Sequence, residues 1–310
     1  MAAATATAMT PALPKTRRWR RACMRCMTMG THTAIHTIIP TGMNMATNTA
    51  MTMTMTMITK AAADTGTATT ILMADLSMQG LCALLHLASP QLPVGGFSYS
   101  QGLEAAIEHG LVTDAGTART WIADALVHGF ARCEAPLWLL LRRAWSAGDE
   151  GAVREWNQWF IASRDSREAR AETLQMGWSL HSLLRSVPWG GEAFAPRIAQ
   201  LGALVDTPGL AYPTAFACAC AAVDADEDHA LLAYGFAWLE NQVAAAIKAV
   251  PLGQVAGQSL LLALHPLLEQ AVGEARRRAS EVPPRLDTML PQWSVLQARH
   301  EHQYSRLFRS

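Results

Sequence analysis

The chain has 310 residues, half of them apolar, and its 25 basic and 25 acidic side chains give a formal net charge of zero. This length allows one large domain or two ordinary ones, with a sizeable core. Residues 1–72 hold seven basic residues and one acidic residue, which leaves 18 basic and 24 acidic residues in 73–310. A mildly acidic body argues against a nucleic-acid-binding protein.

Cysteine usage and hydropathy exclude two further classes of protein. Six scattered cysteines are too few for a disulfide-stabilised fold, and the single CxxC motif at Cys23 and Cys26 lacks the second pair that zinc sites need. The longest nearly apolar stretch, residues 259–268, is shorter than the roughly 20 residues of a membrane span and contains His265 and Pro266. We therefore predict a cytoplasmic protein that does not associate with membranes.

Residues 1–72 differ in kind from the rest of the chain. They are rich in Thr, Ala and Met, with an alternating Met-Thr run at 51–57 and no helix or strand periodicity. Such a segment cannot bury enough apolar surface to offset its ordering entropy. We predict a low-complexity extension that is disordered or reflects a gene start placed upstream of Met73. A transit-like peptide and a metal-binding methionine tract stay open, although thioethers suit Cu(I) better than nickel.

From residue 76 onwards, the signals are those of helices. A first apolar helix is predicted at 76–87, before Pro90, and a turn at 93–96 follows it. Ser98 and Gln101 predict a capping box at the start of the second helix, and Gly110 its end. Further helices are predicted at 114–132, 135–146, 150–162, 166–186, 192–204, 208–223, 227–249, 253–271 and 291–308. No strand alternation interrupts them, so residues 73–310 are predicted to form a single compact all-α domain.

No catalytic motif is found in this helical region. The chain has no Gly-Lys pair for a phosphate-binding loop, no GxGxxG fingerprint, no HExxH zinc motif and no GxSxG elbow. The sequence therefore predicts a protein that is not an enzyme.

Two charged residues are candidates for contacts with other proteins. Lys248 is the only charged residue between Glu240 and Glu269, so it is either a lysine that snorkels at a helix end or a charge held at an interface. Glu104 lies one turn inside its helix and is either solvated or in contact with another chain. The adjacent turn with Gly95, Gly96 and Tyr99 would allow another backbone to approach closely. We therefore assign these three residues, together with Glu104 and Lys248, to partner binding.

The C-terminal segment is a second candidate binding site. On a helical projection, one stripe carries Trp293, Leu296, His300, Tyr304 and Leu307, and another carries Arg299 and Arg306. Chain ends usually fray, but the last five residues, 306–310, hold two arginines and two large apolar side chains, a composition typical of interface cores. The alternative is that this helix docks on its own domain.

Several segments resemble the UreF family of urease accessory proteins. Residues 89–104 (SPQLPVGGFSYSQGLE) and 300–310 (HEHQYSRLFRS) are similar to the two signature segments of the family. Residues 163–177, 212–216 and 246–254 resemble internal segments in the family's order. The resemblance covers about 80–310, and residues 1–72 have no counterpart in it.

This resemblance implies an all-α homodimer that bridges two partners during nickel delivery to apo-urease. One is the accessory protein UreD or UreH, and the other is the nickel-carrying GTPase UreG, which binds the GTP. The resemblance assigns Arg306, Leu307, Phe308 and Arg309 to the UreD/UreH contact. It assigns Glu104 and Lys248 to a surface that modulates the GTPase. No cofactor is expected in the chain itself.

The family resemblance also implies that nickel crosses the dimer through an internal tunnel without a long-lived metal site. His302, beside His300, departs from the family pattern and makes these two residues the candidates for a transient nickel contact. Two other functions stay open. The chain could regulate a GTPase, with Lys248 or an arginine acting in trans, or it could be a metal chaperone that uses residues 1–72.

Overall fold

The computed structural model describes residues 76–310, apart from Pro208 and Met289. The predictions made for residues 1–72 lie outside this range. The described residues form α-helices joined by short 3₁₀ and π turns and contain no β-strand, which confirms the all-α fold class. None of these helices is both long and apolar enough to cross a membrane.

The α-helices are numbered in chain order. They are α1 (Met78–Ala88), α2 (Leu103–Glu108), α3 (Ala115–Asp124), α4 (Glu134–Ala147), α5 (Glu150–Ala162), α6 (Arg167–Ser186), α7 (Ala195–Gly202), α8 (Tyr212–Ala221), α9 (Glu227–Ala249), α10 (Gln254–Ala279) and α11 (Pro291–His300).

The core is organised around α8. Every residue from Pro213 to Cys220 in this helix is buried, and the helix packs between α4 and α6. A helix that is apolar on all sides must be surrounded by other elements. The indole N–H of Trp145 donates to the Thr214 carbonyl, and that of Trp189 to the Ala219 carbonyl, so the polar edges of both surrounding tryptophans are satisfied.

The long helices α9 and α10 pack against each other and close the other side of α4. Helix α10 runs through Pro266 to Ala279, eight residues beyond its predicted end. Its last turns are held because buried Arg278 donates to Glu274 at 2.6 Å and to Asp287 at 2.9 Å. Of these two partners only Asp287 lies outside α10, and local sequence does not show this contact.

The predicted helix 114–132 is continuous only as far as Asp124. It continues as a π turn, Ala125–Gly129, and a 3₁₀ turn, Phe130–Arg132. At Gly129 a β-carbon would lie 2.6 Å from Cζ3 of Trp293 and 2.8 Å from Cδ1 of Leu290. Glycine is therefore needed there so that α11 can approach the chain closely.

The predicted capping box at Ser98 and Gln101 is wrong. Ser98 ends a 3₁₀ turn, Gly96–Ser98, and helix α2 begins only at Leu103. Gln101 (φ +53°) and Gly102 (φ +85°) are left-handed, which interrupts the helical path between Ser98 and Leu103. The end of α2 agrees with the prediction, because Gly110 (φ +71°) follows its C-cap.

The prediction that the last helix reaches residue 308 is also wrong. Helix α11 ends at His300, and residues 301–310, here called the tail, follow an irregular path across the body. The predicted stripe therefore breaks after His300. The cause is tertiary, since the main-chain N–H groups of residues 307–309 donate to Glu104 and Ser98 instead of to the preceding turn of a helix.

Candidate partner-binding site

The site is built where the start of α2 meets α6 and the tail. The indole of Trp293 fits against Gly102, where a β-carbon would lie 2.9 Å from its Cδ1 atom. The same indole donates a hydrogen bond to the Gln101 carbonyl. This close packing holds α11 against the beginning of α2, and the tail therefore starts beside Glu104.

Glu104 is 6% exposed, and both of its oxygens are bound by residues of the C-terminal segment. Its Oε1 accepts the Leu307 amide at 2.6 Å, and its Oε2 accepts the Phe308 amide at 3.0 Å. The same Oε2 lies 3.1 Å from Nε2 of His300. Hydrogen bonds to an ionised carboxylate are stronger than those between neutral groups.

His300 is fully buried and lies between two carboxylates. Its Nδ1 is 2.6 Å from Oε2 of Glu168, while its Nε2 faces Glu104. Glu168 also pairs with Arg306 of the tail, at 2.6 Å between Oε1 and Nη1. The ring of His300 therefore bridges Glu104 on α2 and Glu168 on α6.

The end of the tail is held as closely as its beginning. The Ser310 main-chain oxygen accepts from the amide of Ser100 at 2.6 Å and from its hydroxyl at 2.5 Å. The Ser310 hydroxyl donates to Glu172 at 2.9 Å, and the Arg309 amide donates to the Ser98 carbonyl at 2.8 Å. Glu104, Glu168 and Glu172 thus all bind residues 300–310, and we call them the carboxylate cradle.

Burial shapes the acid–base behaviour of this region. Burial raises the pKa of Glu172 to about 7, although hydrogen bonds from Gln101 and Ser310 oppose the shift. Burial also raises the pKa of Tyr99, and the Arg309 guanidinium beside the phenol acts in the opposite direction. The cradle therefore includes a carboxyl group that titrates near neutral pH.

Lys248 lies in the last turn of α9, and its side chain is exposed. Its ammonium group is 5.4 Å from the ring centre of Phe308 and 5.6 Å from that of Phe97. The lysine thus joins the tail to the 3₁₀ turn after Gly95 through cation–π contacts. The position at a helix end agrees with the first description offered from the sequence, and a role for Lys248 at an interface stays a prediction.

The structure brings most of the predicted site residues together. Buried Tyr99, Glu104, His300 and Phe308 form the underside of this region. Its outer side carries exposed Phe97, Lys248 and Leu307, which we call the tail surface. Arg309 is exposed as well, but its guanidinium lies beside the phenol of Tyr99. Other predicted residues are separate from these contacts: Gly95 and Gly96 shape the turn, the side chains of Arg299 and His302 are exposed, and that of Tyr304 is fully exposed.

Sequence reasoning missed the carboxylates that receive the tail. Glu168 and Glu172 are four residues apart on α6, where like charges on one helix face repel each other unless a partner compensates them. That spacing is a signal that a cation or a hydrogen-bond donor lies opposite. Ser100, whose amide and hydroxyl donate to the Ser310 main-chain oxygen, was also missed, because Ser98 was predicted to be the N-cap.

The described residues do not include a group of three or more His, Cys, Asp or Glu side chains placed to hold a metal ion. The two histidines proposed for a transient nickel contact differ in their surroundings. Both ring nitrogens of His300 are engaged by glutamates, whereas His302 is exposed.

Comparison with known proteins agrees with the resemblance noted in the sequence. The family model described as UreF matches residues 112–265, which include Glu168, Glu172 and Lys248. The urease accessory protein UreF of Delftia acidovorans is 97% identical over 238 residues, which are 77% of this chain and all of that protein. The UreF protein of Cupriavidus pinatubonensis is 57% identical over 233 residues, covering 75% of this chain and 99% of that protein.

The chain belongs to the UreF family. It is therefore a member of a family of urease accessory proteins. Another UreF relative, the bifunctional urease accessory protein UreEF of Bordetella bronchiseptica, is 53% identical over 246 residues. These make up 79% of this chain and 55% of that longer protein.

Proposed function

We propose that the chain is a non-catalytic chaperone for nickel insertion into urease. In this proposal it forms a cytoplasmic homodimer and bridges a UreD/UreH-type accessory protein and a UreG-type GTPase. The complex delivers nickel to apo-urease in a GTP-dependent step. The chain needs no cofactor of its own, because the complex handles the nickel and the GTPase binds the GTP.

The observation that supports this proposal most directly is the docked tail. Its backbone is fixed on the body while the side chain of Leu307 is 72% exposed. Phe97 is 64% exposed, and the ammonium group of Lys248 lies between its ring and that of Phe308 and adds a cation. Aromatic and arginine side chains on a rigid backbone are typical of the residues that dominate binding energy at protein interfaces.

The test is size-exclusion chromatography with light scattering of the full chain and of a chain cut after Tyr304, each with and without the UreD/UreH partner. We expect the full chain alone to have twice the 33.5 kDa mass of one protomer, and to form a complex that the cut chain does not form. An intact complex with the cut chain would contradict the assignment of the tail as the anchor.

Two point variants, which change the chain less than the truncation does, test whether partner binding depends on the tail surface or on any loss of exposed apolar area. Leu307→Ser removes an exposed apolar group from the tail surface. Val282→Ser does the same in a loop where the side chain is 98% exposed. We expect Leu307→Ser to weaken partner binding by roughly tenfold or more and Val282→Ser to leave it unchanged. Equal effects of the two variants would argue against the tail surface.

A regulatory effect on the GTPase is the second candidate function, because the exposed ammonium of Lys248 lies on the same surface. A cation supplied in trans can accelerate phosphoryl transfer. We expect Lys248→Gln to change the rate of GTP hydrolysis by the UreG-type partner within the complex. An unchanged rate, with the complex still formed, would overturn the regulator hypothesis and leave the scaffold proposal standing.

A further inference from the structure

Glu104 has a place in the site that its sequence context does not suggest. A residue that contacts a partner protein usually has an exposed polar group, but Glu104 is 6% exposed. Its two oxygens accept the amides of Leu307 and Phe308 and lie beside His300. A partner could reach this carboxylate only after the tail had left it.

The other two carboxylates of the cradle are arranged in the same way. Glu168 binds His300 and Arg306, and Glu172 binds the hydroxyl of Ser310. The cradle thus contacts the C-terminal segment at its start, middle and end. It fixes the backbone without using the outward side chain of Leu307, which stays exposed.

From this geometry we propose that Glu104 is a positioning residue that affects partner binding only through the tail. It holds the Leu307 and Phe308 amides, and this sets the direction in which the side chain of Leu307 points. His300 supports the same arrangement, because it joins Glu104 on α2 to Glu168 on α6. This inference rests on the proposed function, in which the tail binds the accessory partner.

The structure offers a direct probe of tail release. Trypsin cleaves after arginine, and the peptide bond after Arg306 contains the Leu307 amide that Glu104 holds. A protease needs a locally released backbone, so the cleavage rate at this bond follows the population of the undocked tail. The probe requires no partner, and the full chain is used.

The main variant is Glu104→Gln, which keeps the size of the side chain. The glutamine is uncharged, and its NH₂ group cannot accept from the Leu307 and Phe308 amides as a carboxylate oxygen does. The tail therefore loses charge-assisted hydrogen bonds. The matched control is Glu108→Gln, the same change of charge one turn later on α2, where the side chain is exposed. His300→Gln is a second test variant from the other side of the contact, and thermal unfolding checks that each variant folds.

We expect Glu104→Gln to increase cleavage after Arg306 by roughly one to two orders of magnitude, because charge-assisted hydrogen bonds are lost. Its affinity for the UreD/UreH-type partner should fall, in titrations of the full chain, by the factor by which the docked fraction of the tail falls. His300→Gln should shift both quantities in the same direction. Glu108→Gln should shift neither.

Three results would overturn the inference. Weaker partner binding with cleavage unchanged would mean that Glu104 contacts the partner itself. Cleavage as fast as in a free peptide of the tail sequence, with partner binding unchanged, would mean that tail placement does not matter to the partner. If the parent chain does not bind the partner at all, the proposed function fails as well, while the cleavage rates still show whether Glu104 holds the tail.

Discussion

Helix α8 and the tail are both held inside the same domain, but by different forces. Helix α8 is buried from Pro213 to Cys220 without a charged residue and is held by close packing. The tail has few buried side chains, Phe308 and Ser310 among them, and is held by three carboxylates through hydrogen bonds and ion pairs.

Because of this difference, the stability of the domain and the placement of the tail should respond to different changes. Apolar packing responds strongly to changes in volume and little to pH or salt. Hydrogen bonds to charged groups tolerate small changes in shape but respond to protonation and, where exposed, to ionic strength. We infer that the core sets whether the domain folds, and that the cradle sets how firmly the tail is presented.

The largest effect is expected at Gly177 on α6, where α6 crosses the segment leading into α8. A β-carbon there would lie 2.1 Å from the carbonyl oxygen of Leu210. Gly177→Ala should therefore lower the free energy of unfolding by about 3 kcal/mol or more, measured by urea denaturation.

The same substitution in a free environment is the control for that prediction. Gly273 lies inside α10 on its exposed side, and a β-carbon there meets no atom within 4 Å. Gly273→Ala should raise the free energy of unfolding by roughly 0.5–1 kcal/mol, since alanine is the better helix former. If both variants shifted stability in the same direction, close packing at Gly177 would not be the cause.

The second effect is a pH dependence at Glu172. Its folded-state pKa of about 7 lies above the usual value of 4.5, so the charged form is disfavoured in the folded protein. The contribution of this group to stability is therefore lost as the pH rises from about 4.5 to 7. Glu172→Gln should be more stable than the parent by about 2–3 kcal/mol at about pH 8, and similar to it at about pH 4.5.

This prediction is checked by comparing urea denaturation of the two proteins across that pH range. The glutamine can still accept from Gln101 and donate to Ser310. A change in the free energy of unfolding is therefore not explained by lost hydrogen bonds. A difference that stays constant with pH would show that Glu172 does not titrate in this window.

The smallest effect is expected at the Arg306–Glu168 pair, where the arginine side chain is 40% exposed. Exposed ion pairs contribute little and are screened by salt. Arg306→Ala should raise the hydrogen-exchange rate of the Leu307 amide by roughly fivefold or less, and by less still at high salt. A larger effect that salt does not change would place this pair among the main supports of the tail.

The sequence predicts the helices of this domain better than it predicts the site. Helices α5 and α9 begin and end at their predicted residues, because local periodicity and capping decide them. The start of α2 and the end of α11 differ from the prediction, because they depend on partners far along the chain. The contact between Glu104 and Leu307 joins residues 203 positions apart, and no local pattern contains that information.

The same contrast between local and long-range information applies to the site residues. The composition of 306–310 marked the tail as unusual, and the isolation of Lys248 marked it as a residue with a partner. Neither pattern could show that Glu104 and the tail bind each other. That fact depends on how α2, α6 and α11 pack, which local sequence does not specify.

The packing of Trp293 against Gly129 limits how this domain can vary among its relatives. The two residues lie on different elements, yet the space for any side chain at position 129 is taken by the indole and by Leu290. Alanine at 129 would therefore be accepted where smaller residues replace Trp293 and Leu290. In a population of descendants, these positions should change together or stay as they are.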